Sequence, residues 1–365
     1  MKILFYIGNL RNGGAERVIS VLSNNFVKTN EVGIMTTLND KIDYTLNEKI
    51  ELFPLQDGKK RNIINKNIFY LKKIKRIVNQ YNPDVLITFL PEPTYRALLL
   101  RKFIKCPIII SDRNDPSIEY KSLINRLLMK WLYKRADGFV FQTKEAQLFF
   151  NEKTQKKSVV IANPIDDKFF KTVYKYNDNK TFVNVGRLCD QKNQLFLIEC
   201  FSEVLKNYPN FKLNIYGEGI LKNDIEKYLD DNNLNHNIKL CGNVKNINEE
   251  LSDKYAFILS SKYEGMPNAL MEAMAVGVPC ISTDCPCGGP REIIKDGKNG
   301  FLIENENKRQ LIDIIIKLIE DRNLCNKISD ESKKNMKEFS IDKISYSWIQ
   351  YVKEVCRNEI YKKND

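Results

Sequence analysis

Two carboxylates, Glu264 and Glu272, lie eight residues apart in YEGMPNALME, and two cations, Arg187 and Lys192, lie further upstream in GRLCDQKN. Carboxylates accept hydrogen bonds from sugar and ribose hydroxyls, and a pair of cations neutralises a phosphate group. Together they suit a sugar nucleotide as ligand. The spacing of the glutamates alone also fits a plainer reading, one solvated loop charge and one surface helix residue. The elements that must position them decide between the two. Residues 255–260 are an apolar run of strand length, and residues 269–276 form a good helix that Gly277 and Pro279 stop. The glutamates therefore fall at the carboxyl end of a strand, the edge of an open α/β sheet where ligands bind and where helix N–H groups attract anions. Gly265 lets backbone approach a ligand closely, and Pro267 suits an early helical turn.

The same pattern recurs along the chain. KILFYI at residues 2–7 reads as a buried strand running into a Gly-rich loop, residues 8–17, and then an apolar-periodic helix through Val18, Ile19, Val21, Leu22 and Phe26. The loop is neither a G-x-G-x-x-G fingerprint nor a P-loop, which leaves Gly13 and Gly14 at a helix start facing a phosphate or a sugar. Strand and helix signals then alternate: strands at 31–37, 84–90, 107–111, 136–142 and 158–161, and a helix at 63–80. Such alternation predicts a parallel sheet with helices on both faces. The strand at 107–111 ends in the polar cluster SDRNDP, which contains Asp112 and Arg113. After a joint at residues 163–166 a fresh strand begins at Thr181, placing a domain boundary near residue 170. In the second half the strand at 182–185 ends in Gly186 and Arg187, that at 213–216 in Gly217-Glu218-Gly219, that at 238–240 in Gly242-Asn243-Val244, and that at 279–283 in CGGPRE. With the YEGMP strand this makes five polar or glycine-rich strand ends, more than a merely structural sheet needs. Arg187 and Lys192 stand where a helix begins, so dipole, backbone donors and charge would act together on a diphosphate.

Length and composition bound the rest. At 365 residues the chain calls for two domains. No apolar run approaches a membrane span, and the opening strand is broken too early for a signal peptide, so a cytoplasmic protein is expected. Nine scattered cysteines suit reduced thiols; Cys285 and Cys287 alone are close, a weak metal signal. The sole histidine, His236, sits in an Asn-rich stretch, which argues against a triad and excludes a His-rich zinc site. Residues 1–175 carry 31 Lys and Arg against 17 Asp and Glu, the remainder 27 against 29, so the first half is the one suited to an anionic partner. Within it, residues 119–135 form a basic amphipathic pattern with Leu123, Leu127, Leu128, Trp131 and Leu132 on one side. Such a helix either lies in a membrane interface or packs into its own core. Basic clusters at 59–61, 72–76 and 101–105 would reinforce the first fate.

These motifs, GGAER at 13–17, GRLCDQKN at 186–193, the glutamate pair within EGMPNALMEAMAVGVP, and GGPREII at 288–294, resemble almost end to end the retaining GT-B glycosyltransferases of family 4. The resemblance implies an α/β fold of two Rossmann-like domains facing a central cleft. Residues 1–168 would form the acceptor side and 169–340 the sugar-nucleotide side, with a last helix, 341–365, crossing back to the first domain. It implies that Arg187 and Lys192 neutralise the departing diphosphate, with no metal and no cofactor beyond the UDP-sugar donor. Glu264 would face the donor sugar and act with them in catalysis, and Glu272 would bind the ribose. Gly265, Met266 and Asn268, with Gly14, Gly186 and Gly217, would hold sugar and phosphates, and Asn243 and Val244 would receive the base. Where many relatives carry a histidine after the strand at 107–111, this chain has Ser111-Asp112-Arg113. SDRNDP resembles a subgroup that builds capsule, O-antigen or lipid-linked glycans, so Asp112 or Arg113, with Gly13, would engage donor or acceptor. The expected activity is transfer of a hexose or N-acetylhexosamine from a UDP-sugar to a polyprenyl-diphosphate-linked glycan, on the inner face of an anionic membrane. A GT-B sugar-nucleotide epimerase shares the architecture but needs proton-transfer groups at the sugar, which the lack of a suitable histidine disfavours. A basic nucleic-acid-binding protein would need aromatic and basic residues on one exposed face, and no nucleic-acid partner is expected.

Overall fold

The computed structural model describes residues 1–11, 13–39, 41–175 and 179–364, with side chains to residue 358. Asn12 of the Gly-rich loop lies outside the described residues. The chain divides into two compact units, residues 1–164 with 341–365, and residues 165–340.

The first unit is built on Lys2–Ile7 (β1), Glu31–Thr36 (β2), Glu51–Pro54 (β3), Val85–Phe89 (β4), Ile108–Ser111 (β5), Gly138–Phe141 (β6) and Ser158–Val160 (β7). Its helices are Gly14–Phe26 (α1), Ile63–Tyr81 (α2), Pro91–Leu99 (α3), Pro116–Glu119 (α4), Leu123–Tyr133 (α5), Lys144–Leu148 (α6) and Glu152–Gln155 (α7). All pairings are parallel, in the order β3-β2-β1-β4-β5-β6-β7. Ile3 through Ile7 and Val85 through Ile87 have no exposed surface, as a parallel sheet covered on both faces requires. In α1 the apolar positions Val18, Ile19, Leu22 and Phe26 are buried on one stripe, each contributing about 1.5–3 kcal/mol by burial.

The second unit contains Thr181–Val185 (β8), Lys212–Tyr216 (β9), Ile238–Gly242 (β10), Phe257–Leu259 (β11), Cys280–Thr283 (β12) and Phe301–Ile303 (β13). Between and around them run Asp167–Lys171 (α8), Gln194–Leu205 (α9), Lys222–Asp231 (α10), Ile247–Leu251 (α11), Asn268–Val276 (α12), Gly289–Ile293 (α13), Lys308–Glu320 (α14) and Arg322–Met336 (α15). This sheet too is wholly parallel, ordered β10-β9-β8-β11-β12-β13. The strand order reverses between β8 and β11, and a crevice opens at the carboxyl ends of such a pair.

The final helix, Ile341–Asn364 (α16), belongs to the first unit. Trp348 is fully buried and stacks on Phe89 at 6.1 Å, and the Tyr351 hydroxyl accepts from the Phe139 amide at 2.8 Å. The first crossing into the second unit falls after Pro164 rather than after residue 168. The cause is local: the Ile165 amide donates to the Phe339 carbonyl at 2.9 Å and Ile165 bridges Ser340, so both crossing points are tied together inside the second unit.

Three other sequence readings change. β3 and β13 are strands the apolar pattern did not mark, being three or four residues long. The pattern at 119–135 is not one helix, since α4 ends at Glu119 and α5 starts after Ser122. And the proposed apolar stripe of α5 is divided. Leu132 is buried with Met129 and Tyr133, whereas Leu123, Leu127 and Trp131, joined by Ile124, are from 51% to 77% exposed. At 3.6 residues per turn those four span about 100° of the helix on the side away from its core face.

Candidate active site

At the carboxyl end of β8 the chain turns through Gly186 and a short 3-10 turn, Asp190–Lys192, before α9 begins. Gly186 and Leu188 donate to the carbonyls of Tyr216 and Glu218, at 2.9 and 3.1 Å, so the ends of β8 and β9 are pressed together. Gly217 has a φ of +140°, and a Cβ there would stand 2.0 Å from the Gly186 carbonyl oxygen, so only glycine fits. This close approach carries Arg187 and Lys192 forward as a loop. Arg187 is exposed, and its side chain makes no hydrogen bond among the described residues.

Across the switch point, β11 ends in Ser260-Ser261-Lys262-Tyr263-Glu264. Glu264 is 6% exposed. Its Oε1 is paired with the Lys192 ammonium and accepts from the Ser261 hydroxyl at 2.6 Å. The neighbouring hydroxyl of Ser260 donates to the Lys192 carbonyl at 2.9 Å, and Thr283 Oγ1 donates to the Ser261 carbonyl at 2.6 Å. Two adjacent serines thus hold the two members of the ion pair. Two further contacts stitch the loops: the Lys262 amide to the Gln191 carbonyl at 2.8 Å, and Gln191 Nε2 to the Tyr263 carbonyl at 3.0 Å. Burial, with the Glu264 charge nearby, pushes the Cys285 thiol up to about 12, which keeps it protonated.

The loop after β12 closes the other flank. The Glu264 amide donates to the Pro286 carbonyl at 2.6 Å, and the Cys287 amide donates to the Glu264 carbonyl at 2.8 Å. A Cβ on Gly289 would fall 1.8 Å from the Gly265 carbonyl oxygen, so the second glycine of GGPRE is needed for this contact. Gly265 and Met266 are buried, and Asn268 opens α12, whose first turn has no side-chain cap. Glu272 is 5% exposed one turn further on, and Gly277 ends the helix with φ at +98°. Asn243 and Val244 are exposed just past the edge strand β10. Thus Arg187, Lys192 and Glu264 stand at the switch point of one sheet, with Gly186, Gly217, Gly265 and Gly289 as its close backbone contacts.

The first-unit residues behave differently. Gly13 caps α1 and is tied by Tyr44, whose hydroxyl accepts from the Gly13 amide at 3.0 Å and donates to its carbonyl at 2.7 Å. Tyr44 gave no signal in the sequence, being a lone aromatic in a polar loop. Asp112 is buried, and both its oxygens accept from the hydroxyls of Tyr120 and Tyr133 at 3.1–3.3 Å. Burial raises the Asp112 carboxyl to about 7, against the hydrogen bonds of the two tyrosines. The Arg113 guanidinium lies over the rings of Phe89 at 4.6 Å and Trp348 at 5.4 Å, and donates from Nη1 to Asn163 Oδ1 at 2.9 Å.

Comparison with known proteins identifies the family of the chain. Residues 166–335 match the model described as glycosyl transferases group 1, and residues 12–169 match that of glycosyltransferase family 4. The chain is 33% identical over 331 residues to an uncharacterised glycosyltransferase of Methanocaldococcus jannaschii, covering 76% of this chain and 80% of that protein. It is 28% identical, over 96% and 99% of the two chains, to a Campylobacter jejuni enzyme named as an N-acetylgalactosaminyltransferase acting on an N-acetylgalactosamine-containing diphospho-undecaprenol. In fold it resembles Anabaena HepE, whose crystal structure holds UDP, with a TM-score of 0.80 at 17% identity over 97% of this chain and all of that one. The chain belongs to the family 4 glycosyltransferases, and its two Rossmann-like units are of the GT-B kind.

Proposed function

We propose that the protein is a retaining, metal-independent transferase. It moves a hexose or N-acetylhexosamine from a UDP-sugar to a polyprenyl-diphosphate-linked glycan at the inner face of the cell membrane. The observation that carries the reading is the Lys192–Glu264 pair at the β8/β11 switch point, with Arg187 open beside it. In the reaction the bond from the sugar C1 to the UDP oxygen breaks, and the acceptor hydroxyl oxygen bonds to C1 on the same face. The acceptor proton passes to the leaving phosphate oxygen, so no separate protein base is called on. Arg187 and Lys192 stabilise the charge that grows on the diphosphate, the kind of preorganised electrostatic contact that catalyses such steps. Glu264, held by Lys192 and Ser261, presents its second oxygen to the donor sugar, and Glu272 accepts from the ribose.

The lipid-linked acceptor draws support from the Campylobacter relative's substrate and from α5. No helix among the described residues is long and apolar enough to cross a membrane. The outer face of α5 instead offers Leu123, Ile124, Leu127 and Trp131 beside Arg126, Lys130 and Lys134, and the first turn of α2 adds exposed Ile63 and Ile64 next to Lys59 and Lys60. Apolar side chains ringed by cations suit an anionic lipid interface. Sedimentation with anionic vesicles should bring the protein down at low salt and release it at high salt. The double substitution Leu127→Ser, Trp131→Ser should lower the bound fraction several-fold, and no binding at low salt would sink the membrane reading. The reaction is tested by a panel of UDP-sugars with a lipid-diphosphate acceptor, reading UDP release and the anomeric configuration of the product. An inverted product would overturn the retaining assignment, and stabilisation by single-stranded DNA but not by UDP would overturn the whole reading.

A further inference from the structure

The first unit contains a cluster of buried polar atoms that its own packing leaves unsatisfied. Arg113 Nε and Nη2, Gln142 Oε1 and Trp348 Nε1 are all buried with no hydrogen-bond partner among the described residues. They belong to one neighbourhood. Arg113 Nη1 and Gln142 Nε2 both donate to Asn163 Oδ1, at 2.9 and 2.7 Å, and the Arg113 guanidinium lies 5.4 Å from the Trp348 ring. Buried polar groups are nearly always paired, so four orphans together ask for an absent partner. Three of the four are donors, and one donor group carries a full positive charge.

Their geometry selects the partner. Nε and Nη2 form one edge of the guanidinium, two parallel N–H groups matched to a pair of oxygens on one phosphorus or carbon. The third nitrogen, Nη1, is the one Asn163 already holds, and the rings of Phe89 and Trp348 fix the plane. The fork is therefore held in place and, among the described residues, unpaired. Asp112, the adjacent carboxylate, does not fill it: its oxygens accept from Tyr120 and Tyr133, and neither Nε nor Nη2 reaches them in a hydrogen bond. The cluster also stands at the sheet edge where ligands bind: Arg113 follows β5, Gln142 follows β6, and Phe89 ends β4. Gln142 Oε1, an orphan acceptor beside an anion seat, calls for a hydroxyl on the same ligand.

We infer that Arg113, Gln142 and Trp348 form a seat for a glycosyl phosphate, with the Arg113 Nε/Nη2 edge gripping two oxygens of one phosphate and Gln142 accepting from a sugar hydroxyl. This rests on the transferase reading for its source, which we take to be the diphosphate of the acceptor; the donor phosphates share the chemistry.

The test separates the sources. In the unsubstituted protein, Arg113→Lys and Arg113→Gln, KM is measured for the UDP-sugar and for short-chain, water-soluble acceptors with a diphosphate or a monophosphate linkage. Lysine keeps the charge and loses the fork, so both variants should raise KM for the diphosphate acceptor at least tenfold. Donor KM and the thermal shift with UDP should stay within twofold. A rise in donor KM instead would place the phosphate on the donor and overturn the acceptor assignment. Unchanged KM values with only a lower melting temperature would overturn the seat, leaving Arg113 as packing. Gln142→Glu guards against variants that fail to fold. A carboxylate at this position would pair with the fork, raising the melting temperature and the acceptor KM together, and a lower melting temperature would count against the seat. Should the unsubstituted protein turn over no UDP-sugar, the transferase reading fails first, and inorganic pyrophosphate becomes the probe. Pyrophosphate binding that Arg113→Lys abolishes would support the seat by itself, and equal binding by both proteins would overturn it.

Discussion

The two sheets solve the same positional problem in opposite ways. In the second unit the polar loops at the strand ends are knitted to one another, so that Lys192 and Glu264 are held by Ser260, Ser261 and Gln191 and by backbone pressed close at glycine. In the first unit the polar loop after β5 turns inward, and Asp112 is spent on two tyrosines that fasten α4 and α5 to the sheet. The difference teaches that a charged residue at a sheet's carboxyl edge is not by that fact a ligand contact. What distinguishes the two is whether neighbouring hydroxyls reach both oxygens of the carboxylate, as at Asp112, or hold one and leave the other open, as at Glu264, whose side-chain hydrogen bonds among the described residues all fall on Oε1.

If that contrast is right, the largest effect belongs to Lys192→Ala. It removes a cation from the leaving diphosphate and leaves a buried carboxylate unpaired, an imbalance of about 3–5 kcal/mol. UDP release should fall by roughly 10²–10³-fold. Turnover like that of the unsubstituted protein would remove Lys192 from the site. Glu272→Ala should follow, with weaker UDP binding in titration and a strong loss of transfer while the far-ultraviolet spectrum is kept. A smaller effect is expected of Ser261→Ala, which deletes one donor to the Glu264 carboxylate, a charged hydrogen bond of about 1.5–3 kcal/mol. Its kcat should drop about tenfold with KM for the UDP-sugar little changed, and Ser261→Thr should restore much of the rate. If Ser261→Ala changes only thermal stability, Ser261 does not position Glu264.

The smallest effect lies on the other side of the comparison. Because the Asp112 carboxyl is raised in the folded protein, the native state binds more protons than the unfolded chain between about pH 4 and pH 7. Its contribution is therefore most favourable below the unfolded pKa, and stability falls as pH rises through that window. Asp112→Asn should flatten this slope in melts taken across the range, with little change in KM for the UDP-sugar. A large donor effect would mean that Asp112 meets the ligand after all.

Much of this was legible in the residue order, and the reasons are specific. Gly13-Gly14, GRLCDQKN and YEGMPNALME are local runs whose types and spacing survive into the fold, so the strand ends they mark are found where expected. What stayed hidden depends on distant partners. Tyr44 reaches back 31 residues to Gly13, and Thr283 reaches the Ser261 carbonyl across 22. No periodicity announces a hydroxyl that will meet a carbonyl so far away. The short strands β3 and β13 carry too few residues for an alternating pattern to develop. In α5 two apolar faces overlap in sequence, and only the position of Met129, Leu132 and Tyr133 against the core tells which one is turned outward.

The route of the chain between the units has a consequence for biosynthesis. Because α16 completes the first unit, the order of emergence from the ribosome is not the order of completion. Residues 165–340 form a continuous segment able to close as soon as it is made, whereas the first sheet waits for Trp348 to cover Phe89. During that interval the opening 164 residues must remain soluble with an apolar face uncovered. A nascent chain halted before residue 341 should therefore carry a protease-resistant second half and a first half that chaperones still hold.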